Sequence, residues 1–420
     1  MYLLNQAGKK QRLGTAVRHP PTVKRVANTK VDVLYCAAHA EFPDSEPLGG
    51  GKAVADYLIR CWREEAQFPL HILSPHSLSL DLPKPLTQLS ELQYARFCRR
   101  FEAKTTAAIL AHDPHECIVL SNDISEGPDF AALGRCGYRL VTIFHVDVVD
   151  YFTRMYLKSI VPPHWLTKIH RFGLMPDVLR LVFEKQYDCV RHSARLVVPS
   201  APMRATIRRC YPFCPEEKIF VLPWGNIGRK IAPEELPALD IAADEFVLLT
   251  LSRLSPEKGI ERLLRALRYV QTNGRRVSVF ICGAPAFMRG RAYARKIRRA
   301  AANLDSFRIV FPGHVTDPLK AALLQRADVF VSPSVHESYG LAIAEAEAAG
   351  CRIISHTHYG ARGTVVNCAD PRSLAAAISA MIAAGRTERH PAESTDAARQ
   401  LADLLQTVAA SPQRADTVSG

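Results

Sequence analysis

Short apolar runs alternate with helix-period segments along most of the chain. Within residues 52–66, for example, Val54, Leu58 and Cys61 recur at i, i+4 and i+7. Strands that are apolar on both faces and joined by such helices indicate a parallel sheet covered on both sides. The strand-sized runs of the first half are Val31–Ala37, Leu70–Leu73, Cys117–Leu120, Leu140–Phe144, Leu196–Pro199 and Ile219–Leu222.

The alternation pauses at 224–245, which we interpret as a linker, and then restarts. The pattern predicts two doubly wound α/β domains, 31–223 and 246–385, that face each other across a cleft. A helix and tail follow in 386–420, and this helix could pack on either domain. The second set of predicted elements comprises strands Phe246–Leu251, Val277–Cys282, Arg308–Phe311, Val329–Val331, Arg352–Ser355 and Thr364–Val366, with helices that include Gly259–Val270 and Tyr339–Ala349.

The composition argues against a disordered or membrane-spanning protein. The chain has 420 residues, of which 48% are hydrophobic and 23% are charged, so it is not expected to be disordered. No apolar run approaches the roughly 20 residues that a transmembrane helix needs. The eleven cysteines form no Cys-x-x-Cys pair, which favours reduced, mostly buried thiols and a cytoplasmic location.

The net charge of +13 is concentrated in two segments. Residues 1–30 carry seven basic residues and residues 289–299 carry six, and neither segment contains an acid. One interpretation is a flexible basic tail plus the solvated face of a helix. The alternative is attraction to anionic lipid headgroups, with peripheral contact at the inner face of a membrane. The basic segments carry no nucleic-acid recognition motif, so nucleic acid is not an expected partner.

The segment Val329–Gly350 contains the most informative candidate site. A buried strand is followed by a tight loop and an alanine-rich helix, and free amides near Ser338–Leu341 would form an anion site at the helix N-terminus. Glu337 and Glu345 are about 2.2 turns apart and share a helix face. Two carboxylates beside an anion site suggest recognition of sugar and ribose hydroxyls. Alternatively, one is a capping acid and the other a surface acid.

A second candidate follows the first strand of the second domain. Arg253 and Lys258 lie in the turn Ser252–Gly259, between a strand end and the next helix. A guanidinium fork and a compact ammonium group together suit a diphosphate. The alternative is two solvated cations. The chain has no Asp-x-Asp motif, so we do not expect a metal ion to bridge the diphosphate.

These motifs together resemble the nucleotide-sugar domain of family-4 glycosyltransferases, which have the GT-B fold. The shared features, in matching order and spacing, are Arg253 with Lys258-Gly259, the strand and loop Phe311–Val315, and Glu337-x7-Glu345 with its Ser-Tyr-Gly turn. The resemblance implies that Arg253 and Lys258 neutralise the donor diphosphate, that Glu345 holds the ribose and that Glu337 contacts the donor sugar. It also implies donor contacts at Ser338, Tyr339, Gly340, Leu341, His314 and Val315, the last two near the base.

The first half resembles the acceptor domain of that family more loosely. Gly49, Gly50 and Gly51 follow the first strand, and the resemblance implies that they close against the diphosphate. His145 ends a strand and would sit at the reacting face of the sugar. The alternative for His145 is a strand-end histidine paired with Asp147 or Asp150.

A third strand end in the first half carries a further polar group. Asn122, Asp123 and Glu126 follow it, and they would touch the acceptor or simply shape a turn.

The implied activity is that of a retaining glycosyltransferase. It would move a hexose from a UDP- or GDP-linked sugar to a hydroxyl of a glycan, polysaccharide or lipid-linked acceptor, with no further cofactor. The alternatives are a non-catalytic nucleotide-sugar-binding protein and a phosphorylase-like sugar phosphate exchanger. Residues 356–367 lack the family's Gly-Gly-x-Pro-Glu loop and carry Tyr359–Gly363 instead, so the identity of the donor stays open.

Overall fold

The computed structural model shows two parallel six-stranded sheets with flanking helices. It therefore confirms the predicted pair of α/β domains. The basic segment 1–30 lies outside the described residues. The structure describes residues 31–43, 48–82, 84, 86–155, 157, 160–171, 177–229, 231–286, 290–392 and 395–411.

The first domain is built on strands β1–β6 in the order β2-β1-β3-β4-β5-β6. The strands are β1 Asp32–Cys36, β2 Leu70–Leu73, β3 Cys117–Ser121, β4 Arg139–Ile143, β5 Arg195–Val198 and β6 Ile219–Val221. The helices are α1 Gly50–Glu65, α2 Glu91–Leu110, α3 Phe130–Arg135, α4 Val148–Met155, α5 Pro163–Arg171, α6 Asp177–His192 and α7 Ala201–Cys210.

The second domain is built on strands β7–β12 in the order β12-β11-β10-β7-β8-β9. The strands are β7 Phe246–Leu251, β8 Val277–Cys282, β9 Arg308–Gly313, β10 Val329–Ser332, β11 Arg352–His356 and β12 Thr364–Val366. The helices are α8 Ile260–Leu267, α9 Gly290–Ala301, α10 Asp317–Arg326, α11 Leu341–Ala348 and α12 Pro371–Ala384, followed by α13 Ala397–Ala410.

The predicted strands agree with the observed ones to within two residues at each end, because each buried strand is an uninterrupted apolar run. Helix boundaries were less accurate. The predicted helix Tyr339–Ala349 actually begins at Leu341, since Gly340 adopts a left-handed conformation with φ 76° and cannot continue a right-handed helix. The predicted helix Gly259–Val270 ends as a regular helix at Leu267.

Helix α13 packs on the first domain, which resolves an alternative that the sequence left open. Leu401, Leu405 and Val408 are buried in the cluster that α1 and β1 also form. The indole N–H of Trp62 donates to the carbonyl of Ala398 at 3.0 Å. The chain therefore leaves the second domain and returns to complete the core of the first.

All eleven cysteines are free thiols, and eight of them are buried. In the part of the chain that the structure describes, no helix combines the length and the apolar character needed to cross a membrane.

Replacing Leu401 with alanine should destabilise the first domain by about 2–5 kcal/mol, because the side chain is fully buried in the α13 contact. All three tryptophans, Trp62, Trp165 and Trp224, precede the second domain, so fluorescence during urea unfolding reports on the first. Gln406→Ala, on the exposed face of α13, is the control and should change stability by less than about 0.5 kcal/mol. Equal effects of both substitutions would contradict this packing.

Candidate active site

A cavity of about 420 Å³ lies between the two domains, at the carboxyl ends of both sheets. The parallel strands of each sheet bring their following loops to one edge, and those two edges face each other. Most of the predicted site residues line this cavity. They are Gly49, Gly50, Gly51, His145, Arg253, Lys258, Glu337, Ser338, Tyr339, Gly340, Leu341 and Glu345.

Two predicted donor-binding residues do not line the cavity. His314 and Val315 directly follow β9, which is the edge strand of the second sheet. His314 is exposed, and Val315 packs against a core cluster of the second domain. Their contact with a nucleoside base stays a prediction.

The loop after β7 places Arg253 and Lys258 in the cavity wall. It ends at Gly259, whose φ is 61°, and a Cβ at this position would lie 2.4 Å from the carbonyl oxygen of Pro333. The glycine therefore allows the loops after β7 and β10 to lie against each other. Arg253 lies 3.6 Å from the buried carboxylate of Glu257.

Lys258 and Glu337 form an ion pair at 2.7 Å, and the hydroxyl of Ser334 donates to the same carboxylate oxygen at 2.9 Å. Burial alone would raise the pKa of Glu337. Lys258 and the nearby His358 outweigh burial and hold the pKa at about 2. Lys258 therefore does not stand alone as a diphosphate ligand, because Glu337 already balances its charge.

Glu345 has a cationic partner that sequence reasoning missed. Lys320 of α10 lies 3.1 Å from Glu345 and 3.2 Å from Asp317. The two carboxylates raise the pKa of Lys320 despite burial. Its i, i+3 spacing to Asp317 is common on helix surfaces, so no motif singled it out.

The glycine loop of the first domain reaches the second domain. A Cβ on Gly49 would lie 3.5 Å from the Arg253 guanidinium, and one on Gly50 would lie 3.4 Å from Leu341. Gly49 also has a φ of 91°, a conformation that favours glycine. The small residues thus bring the backbone of the first domain close to Arg253 and Leu341, and their closure against a diphosphate stays a prediction.

His145 is held in its neutral form. Its Nε2 lies 3.3 Å from Oδ1 of Asn122, an oxygen that also accepts from the Tyr35 hydroxyl at 2.7 Å. Nε2 therefore donates, which leaves Nδ1 as an acceptor. Burial lowers the pKa of His145 to about 3. The alternative pairing with Asp147 or Asp150 is not what the structure shows, because Asp147 caps the start of α4 and Asp150 faces His336.

The loop Tyr359–Gly363, which replaces the family's Gly-Gly-x-Pro-Glu segment, packs against Glu337 and Tyr339. The N–H of Gly360 donates to the carbonyl of Glu337 at 3.1 Å, and a Cβ on Gly360 would lie 2.2 Å from the carbonyl oxygen of Tyr339. The Arg362 guanidinium stacks 4.3 Å from the centroid of the Tyr339 ring. The loop Tyr359–Gly363 therefore helps to hold the loop that contains Glu337 and Tyr339 in position.

Side chains from both domains also meet beside the cavity. Nδ1 of His336 lies 3.6 Å from Asp150, and both side chains are only 5% exposed. The hydroxyls of Tyr359 and Thr206 lie 2.8 Å apart. Sequence reasoning missed these pairs, since each joins residues more than 150 positions apart and neither belongs to a motif.

Comparison with known proteins agrees with the geometry of the second domain. Residues 232–396 match the family model described as Glycosyl transferases group 1. The matched segment spans the whole second domain. The chain is similar to a D-inositol 3-phosphate glycosyltransferase of Geodermatophilus obscurus, with 31% identity over 222 residues. That alignment covers 49% of this chain, and the chain spans about half the length of the relative (48%).

Solved structures support the whole two-domain fold. A sucrose-phosphate synthase from Thermosynechococcus elongatus superposes with a TM-score of 0.60 at 18% identity, covering 90% of this chain and 96% of that one. HepE of Anabaena, solved with UDP and glucose, gives a TM-score of 0.52 at 16% identity and covers 90% and 97%. At these identities the likeness establishes a GT-B fold alone.

The Lys258–Glu337 pair should make stability depend on pH. The pKa of Glu337 falls from 4.5 to about 2 on folding, so its carboxylate stabilises the fold above about pH 4.5 and this contribution disappears as the pH falls towards 2. Glu337→Gln should therefore be less stable than wild type at pH 7, by on the order of 3 kcal/mol. The difference should shrink between pH 5 and pH 3.

Urea unfolding followed by circular dichroism measures that difference. Glu388→Gln, at an exposed glutamate, is the matched control and should follow the wild type at every pH. A constant gap between Glu337→Gln and wild type from pH 7 to pH 3 would show that the ion pair does not set the pKa of Glu337.

Proposed function

We propose that the protein is a retaining family-4 glycosyltransferase that moves a hexose from a UDP- or GDP-linked sugar to an acceptor hydroxyl. The observation that carries this proposal is the convergence of Arg253, Lys258, Glu337 and Glu345 on a cavity that the glycine loop closes from the other domain. The relative from Geodermatophilus obscurus is named as a glycosyltransferase, and HepE was solved with UDP and glucose.

Breaking the sugar–phosphate bond leaves negative charge on the diphosphate while the anomeric carbon becomes cationic. Arg253, Lys258 and the first turn of α11 are fixed in place before reaction, and preorganised dipoles and cations of this kind stabilise developing charge. Because Glu337 and Glu257 balance the two cations, the site is close to neutral before the donor binds. We assign Glu337 to the donor sugar and Glu345 to the ribose.

His145 faces the same cavity as a neutral imidazole. Its Nδ1 acceptor suits a hydrogen bond from a hydroxyl of the donor sugar, and its Nε2–H is committed to Asn122. We therefore assign His145 to positioning the sugar rather than to carrying a charge. Closure of two domains around the reacting atoms excludes water and favours transfer over hydrolysis.

Arg253→Ala should remove most of the nucleotide-induced stabilisation. A nucleotide at about 100 times its dissociation constant adds roughly 2.7 kcal/mol to the folded state, a shift of several degrees in melting temperature. A thermal-shift panel with UDP, GDP, ADP and dTDP measures this and identifies the preferred base. Arg100→Ala, at an exposed position of α2, is the matched loss of one positive charge and should keep the full shift.

Three outcomes are distinguishable. A shift from one nucleotide that is lost only in Arg253→Ala supports the donor site. Equal shifts in the wild type and both variants would contradict the role of Arg253. Nucleotide binding with neither transfer nor hydrolysis across a panel of nucleotide sugars would instead favour the non-catalytic binding protein.

We also propose peripheral contact with an anionic membrane. Helix α9 contains no acid, and its cations are exposed: Arg291, Arg295, Lys296, Arg298 and Arg299. The Arg298 guanidinium lies 4.7 Å from the centroid of the Phe311 ring. A surface of this charge attracts anionic headgroups, at about 1 kcal/mol for each basic residue near the membrane.

The triple variant Arg291→Gln, Arg295→Gln, Lys296→Gln should co-sediment less with phosphatidylglycerol vesicles at low salt. Loss of three cations predicts a decrease of about 100-fold in partitioning, and raised salt should weaken the wild type similarly. The matched control removes the same number of exposed charges from α2, as Arg96→Gln, Arg99→Gln, Arg100→Gln. Equal losses in both triples, or no wild-type binding, would contradict a membrane-facing α9.

A further inference from the structure

A group of polar side chains on the first-domain wall of the cavity has no part in the donor chemistry above. His39 and Asp123 line the cavity, and Glu126 and Tyr94 stand behind them. His39 lies three residues after the end of β1, and Asp123 lies two residues after the end of β3. The sheet order places β1 beside β3, which brings these two residues together.

Hydrogen bonding leaves one nitrogen of His39 as an acceptor. The Tyr94 hydroxyl donates to Glu126 and lies 3.3 Å from Nε2 of His39. Because the phenolic proton is committed to Glu126, Nε2 carries the imidazole proton and donates to the phenolic oxygen. Burial lowers the pKa of His39, so the ring is neutral. Its Nδ1 is buried and has no hydrogen-bond partner among the described residues.

The unpartnered nitrogen faces a carboxyl group across a gap. Nδ1 lies 3.8 Å from Oδ2 of Asp123, which is too far for a direct hydrogen bond but suits one bridging hydroxyl. Residue 51, which lies against this pair, is a glycine and places no side chain over it. A Cβ there would lie 3.3 Å from Oδ2 and 3.4 Å from Nδ1.

The charge on this wall also selects against an anionic ligand. Among the described residues that line the cavity, every lysine and arginine comes from the second domain. Two lysines of the first domain are paired away from this wall: Lys52 with Asp56, and Lys185 with Glu102 and the carbonyls of Ser125 and Gly127. Burial and the neighbouring Glu126 raise the pKa of Asp123, so its charged form is disfavoured.

We propose that His39 and Asp123 hold an uncharged, hydroxyl-bearing acceptor, and that this wall discriminates against acceptors phosphorylated near the bound hydroxyls. One acceptor hydroxyl donates to Nδ1 of His39, and the same or an adjacent hydroxyl bonds to the Asp123 carboxyl. A phosphate here would instead meet the Asp123 and Glu126 carboxyl groups, while Arg253 and Lys258 of the opposite wall are paired with Glu257 and Glu337. This inference rests on the proposed transferase function and names the substrate class of its acceptor side.

The test compares neutral compounds with their phosphates on protein saturated with the preferred nucleoside diphosphate. The probes are glucose and glucose 6-phosphate, myo-inositol and inositol 3-phosphate, and glycerol and glycerol 3-phosphate. Calorimetric titration should show at least about tenfold tighter binding of the neutral member of at least one pair. Asp123→Asn and His39→Gln should each weaken that neutral member about tenfold, the loss expected for one buried hydrogen bond.

Donor binding serves as the second readout. It should change less than twofold in both variants, and Asp305→Asn, at an exposed aspartate of the second domain, should change neither affinity. Preference for the phosphorylated members, absence of binding by every neutral compound, or parallel loss of donor binding would overturn the proposal. Failure of the proposed transferase function can be distinguished from failure of this proposal. A protein without transferase activity would release no nucleotide from nucleotide sugars, whereas the titrations would still compare the affinities for neutral and phosphorylated compounds.

Discussion

The ion pair between Lys258 and Glu337 organises the second-domain half of the site. It joins two loops that are 79 residues apart, one after β7 and one after β10, at a separation of 2.7 Å. A buried carboxylate without a partner would be costly, whereas this one keeps its charge because the ammonium group and Ser334 hold it. The loop 337–340 then precedes α11 in a fixed position, and the amides of the first turn of α11 lie at the cavity wall.

Glycine residues, which have no side chain, allow the two domains to approach closely enough to share one cavity. Gly49 and Gly50 lie against Arg253 and Leu341, and Gly360 lies against the carbonyl of Tyr339. At each of these positions a Cβ would contact or displace an atom across a loop or domain boundary. Helix α13 further limits how far the two domains can separate. It follows the second domain in the chain and is packed into the core of the first. The site therefore depends on both sheets.

The sequence predicted the strands and about half of the residues that line the cavity, because both depend on local patterns. Buried parallel strands are apolar runs, and the residues that follow them gather at one sheet edge. Contacts between distant segments carry no such pattern. Lys320 beside Glu345, His336 beside Asp150, and the packing of α13 on the first sheet could not be predicted, since each depends on how separate elements meet. The ion pair of Lys258 with Glu337 was not predicted for the same reason. From the sequence, Lys258 was assigned to a diphosphate, whereas the structure pairs it with a carboxylate of another loop.

Turnover of nucleotide sugars tests the central claim most directly. The full chain is incubated with UDP-, GDP-, ADP- and dTDP-linked hexoses and a mixture of hydroxyl acceptors, and mass spectrometry follows both the released nucleoside diphosphate and the glycosylated product. We expect one nucleotide sugar to be consumed with matching formation of a glycoside, whose anomeric configuration is that of the donor. Release of sugar 1-phosphate, inversion at the anomeric carbon, or no consumption of any donor would contradict this account.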